Sequence, residues 1–425
     1  MTLIEFFEKD AVENICSSLT KAPDRVILIG DKSKLMQKHA ENYRKILSSR
    51  GMDVEFICRV INKNNMHTII EALSMFVEEY DDCVFDLTGG EDLYLVAVGI
   101  VSERYKEKNI QMHRFNIRNN TIIDCDEDGN TILEGKAPVL SVEENIRVYG
   151  GDVVYEENRK GTTYRWDMTP DFITDIHAMW DICRADPYGW NSQIGVFAIA
   201  EQLCGADDEE LTITVPVAEL KDRLDNVCGK LVDLWKIIKP LMQSGLLKKY
   251  KCDDDVLSVK FKNKQVKYCL TVAGQALEMK VFLAALDARE KDGSKTYNDV
   301  MNGVFIDWDG DIGADRQSYD TENEIDVVMM HGMVPVFVSC KNGYIDKDEL
   351  YKLNAVATRF GGKYAKKVLI ATSLDDSDSS NHIRQRAEDM GIRLVEGYSH
   401  NGQYIDLVDM DDEDLNRLVR SLWSN

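Results

Sequence analysis

Unbroken apolar runs alternate with stretches of helical spacing through the first third of the chain. Arg25-Val26-Ile27-Leu28-Ile29-Gly30 reads as a buried strand, followed by polar Asp31-Lys32-Ser33 and a helical stretch to Arg50-Gly51. The pattern repeats. Val54 to Ile61 ends in Asn62-Lys63-Asn64-Asn65 before a helix to Tyr80, and Cys83 to Leu87 ends in Thr88-Gly89-Gly90 before a helical run from Glu91. Strands and helices in alternation predict an α/β fold with a parallel, doubly wound, Rossmann-like sheet, whose ligands bind at the carboxyl ends of the strands. All three polar loops fall at that edge. Glycines there let a backbone approach a phosphate, and the helix N-termini that follow offer free N–H groups to an anion. The Gly-x-Gly-x-x-Gly dinucleotide fingerprint is missing from the first turn.

Further along the periodicity changes. Phe115 to Tyr155 carries short strand-like runs broken by Arg118-Asn119-Asn120 and by Asp126-Glu127-Asp128-Gly129-Asn130, a hairpin extension of the first sheet. Trp166 to Leu270 is mainly helical. Within it Val217 to Leu224, Leu231 to Met242, Gly245 to Lys249 and two strand-like runs around Asp253-Asp254-Asp255 have a winged-helix layout. Leu234, Trp235, Ile237, Ile238 and Leu241 read as core and the acidic turn would repel phosphate, so this stretch is expected to be a spacer and dimer element. Two β-branched-rich runs then flank His331-Gly332-Met333 as a hairpin whose second strand starts at Pro335. Asp348 to Phe360 has helical spacing through Leu350, Leu353, Val356 and Phe360 and stops at Gly361-Gly362. A strand over Lys367 to Ala371, a helix over His382 to Met390 and a strand over Ile392 to Val395 are expected to follow. The expected domains are 1–160, 161–270 and 271–425.

Composition narrows the picture. At 425 residues the chain is long enough for two or three cores, and 44% hydrophobic with 29% charged residues is ordinary for a globular protein. Met1 to Glu8 lacks the basic start of a secretory signal, and no apolar run approaches a bilayer span, so a cytoplasmic protein without a membrane segment is expected. Ten cysteines without a Cys-x-x-Cys suggest reduced thiols rather than a disulfide or zinc framework. A net charge of -23 disfavours tight, non-specific coating of nucleic acid, although basic residues cluster at Lys248 to Lys251, Lys260 to Lys267 and Lys363 to Lys367.

The chemistry concentrates on the hairpin. Alternation with period two puts Glu324 and Asp326 on one face, and Ser339 with Lys341 on one face. A turn at Gly332-Met333 sets Asp326 opposite Ser339 and Glu324 opposite Lys341. Hard oxygen donors of this kind suit Mg2+ or Mn2+, and a neighbouring lysine can orient a water or stabilise charge on a phosphate. Glu278 shares a helical stripe with Val281 and Phe282, and an acid facing inward there is costly unless a cation meets it. Asp307-Trp308-Asp309-Gly310-Asp311 lacks the later glutamate of an EF-hand and reads as an acidic turn.

An acid, a hairpin and Val338-Ser339-Cys340-Lys341 resemble the PD-(D/E)xK restriction-endonuclease-like fold. In that resemblance Asp326 matches the central acid, Lys341 the lysine, and Glu278 the acid from the preceding helix. Ser339 stands where most members carry Glu or Gln, and the Ser-Cys-Lys version is similar to that of CRISPR-associated nucleases activated by cyclic oligoadenylate. Phe85-Asp86-Leu87-Thr88-Gly89-Gly90-Glu91-Asp92 resembles the CARF (CRISPR-associated Rossmann fold) sensor domain. That resemblance implies a homodimer with one ligand across its two-fold axis, contacted by Gly30, Asp31, Lys32, Ser33, Asn62, Asn64, Asn65, Thr88, Gly89 and Gly90.

Together the resemblances imply a nuclease activated by cyclic oligoadenylate, with cyclic tetra-adenylate as the expected activator. Its substrates would be single-stranded DNA or RNA, with nicking of plasmid duplex. Glu278, Asp326 and Glu324 would hold Mn2+ or Mg2+, Lys341 would prepare the attacking water, and Ser339 would assist through a hydrogen bond. The alternative is a ligand-sensing transcription regulator that keeps an inactive nuclease fold.

Overall fold

The computed structural model describes residues 1–108, 110–126, 129–155, 162–205, 210–224, 227–310, 322–343, 345–372, 374, 378–400 and 402–424. Its first sheet has seven strands in the order Glu55–Val60, Arg25–Gly30, Thr2–Phe6, Cys83–Asp86, Gln111–Asn116, Thr121–Cys125 and Thr131–Lys136. The first five are parallel, and the last two are an antiparallel extension. The expected doubly wound α/β sheet is present, with one correction. Its central strand is Thr2–Phe6, ahead of the first strand read from the pattern, and every residue in it is buried. Thr2 and Glu5 interrupt the apolar run there, which hid a strand covered on both faces. The order reverses between Thr2–Phe6 and Cys83–Asp86, where such sheets open a crevice.

The middle of the chain packs helices Pro170–Ala185 and Pro187–Cys204 against a three-stranded sheet ordered Leu247–Cys252, Val256–Phe261, Thr212–Pro216. Helices Val217–Arg223 and Val227–Gln243 complete the winged-helix-like layout. Trp235 corrects the expected core: it is 59% exposed, while Leu234, Ile237, Ile238 and Leu241 are buried. Helical period explains the difference, since positions 234, 237, 238 and 241 form one stripe and 235 lies off it.

The third region carries a six-stranded sheet ordered Ile392–Val395, Lys366–Ala371, Val334–Lys341, Glu322–His331, Asp299–Asp307, Asp152–Val153. The hairpin turns at Gly332-Met333, with His331 opposite Val334 and Val327 opposite Val338. Its second strand starts one residue before the expected Pro335. Asp299–Asp307 is a strand that the pattern did not reveal, and it pairs antiparallel with the first arm of the hairpin. Asp307 Oδ1 accepts from the N–H groups of Asp309 and Gly310 at 3.0 and 2.8 Å, the expected acidic turn, while Asp311 lies outside the described residues.

Alternation along the hairpin feeds two cores. Val327, Met329, Val336 and Val338 pack with Leu277, Val281 and the helical middle. Val328, Met330 and Phe337 face the other way and join Leu3, Val26, Leu28 and Tyr43 of the first region. Each fully buried Leu, Ile or Phe is worth about 1.5–3 kcal/mol, so this shared core ties the first sheet to the third region. Helix Lys347–Gly361 lies in it through Leu350, Leu353, Val356, Ala357 and Phe360. Asp346 caps its start by accepting from Asp348 N–H at 3.1 Å. Gly362 ends it at φ 54.

Candidate active site and ligand edge

Four elements bring the expected acidic residues to one end of the third sheet. Asp326 projects from the first arm of the hairpin and is held by the second: its Oδ2 accepts from Cys340 N–H at 2.6 Å and from the Ser339 hydroxyl at 3.2 Å. The expected Asp326–Ser339 juxtaposition is therefore present, with Ser339 as a donor to the carboxylate. Lys341 Nζ lies 3.9 Å from Asp326 Oδ2 and 3.0 Å from Glu349 Oε2. Glu278 enters from helix Gln275–Asp287, 6% exposed, its Oε2 accepting from Gln275. Asn302, from the strand that the pattern missed, donates to the Asp326 carbonyl at 3.0 Å and accepts from Trp166 Nε1 at 3.1 Å.

Burial, and then repulsion from Asp326 and Glu324, push the Glu278 carboxyl well above the usual carboxylate range. Burial also raises Asp326, against the pull of Lys341. Glu324 is exposed, yet the surrounding protein and then Asp326 push it up to about 7. Lys341 behaves oppositely. Burial would lower it, but Asp326 and Glu349 outweigh burial and hold the ammonium above its ordinary range. Glu349 sits at eight residues past Lys341 in the first turn of helix Lys347–Gly361, where an acid is an ordinary helix-start signal and so gave no hint of this contact.

A hard divalent cation suits this donor set. Three carboxylates each raise the proton affinity of the next, and a cation relieves that repulsion in place of protons. Among the described residues no three His, Cys, Asp or Glu side chains are already gathered closely enough to hold an ion. The acids feel one another's charge without forming a closed ligand set.

These shifts have a consequence for stability. A carboxyl whose folded-state affinity for protons exceeds that of the unfolded chain stabilises the fold at low pH, and this contribution is lost as pH rises through its folded value. The metal-free protein should therefore lose stability between about pH 5 and about pH 8, partly through Glu324, whose folded value is about 7. Thermal melts of wild type and Glu324→Gln across that range check this. The variant should show a shallower loss, and identical slopes would contradict the assignment.

The candidate ligand edge is formed by the carboxyl ends of parallel strands. Gly30 closes its strand, Asp31 and Lys32 pair loosely at 3.9 Å, and Ser33 begins helix Ser33–Ser49. Asn62 Oδ1 accepts from Asn64 N–H at 3.1 Å, and Asn65 caps helix Met66–Glu79 by accepting from His67 N–H at 3.0 Å. Thr88 N–H donates to Asp86 Oδ1 at 2.8 Å, and its hydroxyl oxygen accepts from Phe115 N–H at 2.9 Å. Gly89 and Gly90 follow. Gly90 has φ 114, and a Cβ there would stand 2.6 Å from the Tyr94 ring, so only glycine fits. Lys63 pairs with Glu91 and joins the second loop to the third.

Sequence reading missed the segment that crosses this edge. Glu8, just beyond the hidden central strand, accepts from Gly90 N–H at 2.6 Å. Asp10 accepts from Lys363 N–H at 2.8 Å and from the Tyr149 hydroxyl at 2.5 Å. Finding Thr2–Phe6 would have exposed both, because the loop after a central strand must lie at the switch point.

No protein-family model matches this chain, and none of the curated proteins matches it. Solved structures do. Protein VC1899 from Vibrio cholerae aligns with a TM-score of 0.70 at 15% identity, covering 100% of this chain and 98% of that one. Can2 from Sulfobacillus thermosulfidooxidans, in complex with cyclic tetra-adenylate, aligns with a TM-score of 0.59 at 16% identity, covering 100% and 97%. The resemblance read from the sequence holds at the level of the fold: from end to end, this chain has the fold of VC1899 and Can2.

Proposed function

We propose that this protein is a metal-dependent nuclease of type III CRISPR defence, switched on by a cyclic oligoadenylate and acting as a homodimer on single-stranded DNA or RNA. The observation that carries this reading is the mutual electrostatic influence of Glu278, Glu324 and Asp326, with Lys341 beside Asp326. Its support on the sensor side is the shared fold with Can2, solved with cyclic tetra-adenylate.

Glu278, Asp326 and Glu324 would hold Mn2+ or Mg2+, which supplies Lewis-acid polarisation of the scissile phosphate and a more acidic water. The Ser339 hydroxyl and Cys340 N–H fix the Asp326 carboxylate, so one of its oxygens is oriented before any cation arrives. Lys341, kept charged by Asp326 and Glu349, is placed to stabilise negative charge developing on the phosphate. On the sensor side, Thr88 to Gly90, Gly30 to Ser33 and Asn62 to Asn65 would contact the ligand. Binding activates only if the ligand prefers the dimer in which the nuclease halves are competent.

The test is cleavage of labelled single-stranded DNA, single-stranded RNA and supercoiled plasmid with Mn2+, with and without cyclic tetra-adenylate, beside Asp326→Ala. Ligand-dependent cutting should appear in the wild type and vanish in the variant. Cutting without ligand would discard the sensor role. Ligand binding without cutting under any condition would favour the transcription regulator.

A further inference from the structure

At the switch point the chain's own carboxylate lies against the Gly89-Gly90 loop. Glu8 Oε1 accepts from Gly90 N–H at 2.6 Å, and its side chain lies along the backbone of Gly89 and Gly90. A backbone N–H in a glycine loop at this edge is where an incoming phosphate would be received. Glu8 already occupies it, while the neighbouring acids Glu13 and Glu91 are each paired with a lysine, Lys363 and Lys63. A polyanionic ligand cannot settle against Gly90 while that carboxylate remains.

The same short segment is fastened to the third region two residues later. Asp10 accepts from Lys363 N–H and from the Tyr149 hydroxyl, and its carboxylate lies against Gly362, where a side chain would collide with it. Gly362 ends helix Lys347–Gly361, and Glu349 in the first turn of that helix pairs with Lys341. One helix, buried along a single stripe, thus meets the segment at one end and the lysine of the candidate active site at the other.

We propose that Glu8 is an internal anion that holds the phosphate seat of the sensor edge, and that ligand binds by displacing it and loosening the Asp10 clamp on the helix terminus. The ligand half rests on the function proposed above. Displacement supplies the differential contact that a switch requires, because the ligand gains Gly90 N–H only in the state in which Glu8 has left. Removing Glu8 removes a competitor. Cyclic tetra-adenylate should then bind tighter by about tenfold or more, equivalent to about 1.4 kcal/mol.

The experiment is calorimetric titration of wild type, Glu8→Ala and Glu8→Gln with cyclic tetra-adenylate, with hydrogen exchange at the Gly90 and Lys363 amides. Tighter binding in Glu8→Ala, an intermediate value in Glu8→Gln, and faster exchange at both amides in ligand-free Glu8→Ala are expected. Unchanged or weaker binding would overturn the proposal and make Glu8 a bystander or a ligand contact. Continued protection of Lys363 in Glu8→Ala would overturn the coupling to Asp10. If the wild type binds no cyclic tetra-adenylate, the sensor reading fails, and the seat is judged with inorganic phosphate alone. Phosphate should protect the Gly90 amide in Glu8→Ala and not in wild type, and failure to do so would overturn the seat itself.

Discussion

Lys341→Ala is expected to slow strand cleavage about 10²–10³-fold, the usual cost of removing one preorganised charge from a developing oxyanion, while leaving affinity for cyclic tetra-adenylate unchanged. The ammonium is held on two sides, by Asp326 at 3.9 Å and Glu349 at 3.0 Å. Those acids overcome the burial that would otherwise favour the neutral amine, so the group stays charged at neutral pH. A permanent cation stabilises charge and cannot accept a proton. Lys341→Arg should therefore recover part of the lost rate, whereas a lysine acting as a neutral base could not be replaced by arginine. Single-turnover cleavage at saturating Mn2+ and ligand separates the two roles. Normal turnover in Lys341→Ala would remove the site assignment altogether.

Glu278→Gln should abolish cutting and the stabilisation by Mn2+, with little loss of stability in the metal-free protein at neutral pH. The reasoning follows from the burial of Glu278 and its repulsion by Asp326 and Glu324. Its folded proton affinity lies well above the unfolded value, so its contribution to stability is present at low pH and lost as pH rises through the folded value. An isosteric neutral amide resembles the protonated acid and removes that loss. A cation, in contrast, requires the carboxylate. A ligand at a hundred times its dissociation constant adds about 2.7 kcal/mol to the wild type, and Glu278→Gln should forfeit most of it. Melting curves with and without Mn2+ decide the matter. A Mn2+ shift equal to that of the wild type would take Glu278 out of the metal site, and a severe metal-free destabilisation would mean that its ionised form is structural.

Much of the fold was legible because it is written in local periodicity. The strand Arg25–Gly30, the loops at Asn62 to Asn65 and Thr88 to Gly90, and the edge strand Ile392–Val395 follow from apolar runs bounded by turn residues. Helix Lys347–Gly361 extends the predicted Asp348 to Phe360 by one residue at each end. Elements with mixed composition were not legible. Thr2–Phe6 contains a buried Glu5, and Asp299–Asp307 carries Asn302 and Gly303 within its run, so neither shows the clean pattern that a strand buried in a sheet otherwise has. Trp235 failed for the opposite reason: it is strongly apolar, and only the three-dimensional stripe of its helix puts it outside.

By itself the sequence determined which residues could share a face. Period two set Glu324 with Asp326 and Ser339 with Lys341, and the Gly332-Met333 turn set the register between the two arms. These are consequences of backbone geometry over a few residues, and nothing distant can alter them without breaking the hairpin. Tertiary structure decided what surrounds that face. Glu349 reaches Lys341 from a later helix, Asn302 braces Asp326 from an earlier strand, and the charge of Asp326 acts on Glu278 from another element. It also decided that Glu8 and Asp10, two residues apart, touch the Gly89-Gly90 loop and a distant helix end. Contacts of this kind depend on how layers pack and on how burial strengthens charge, and local spacing carries no record of either.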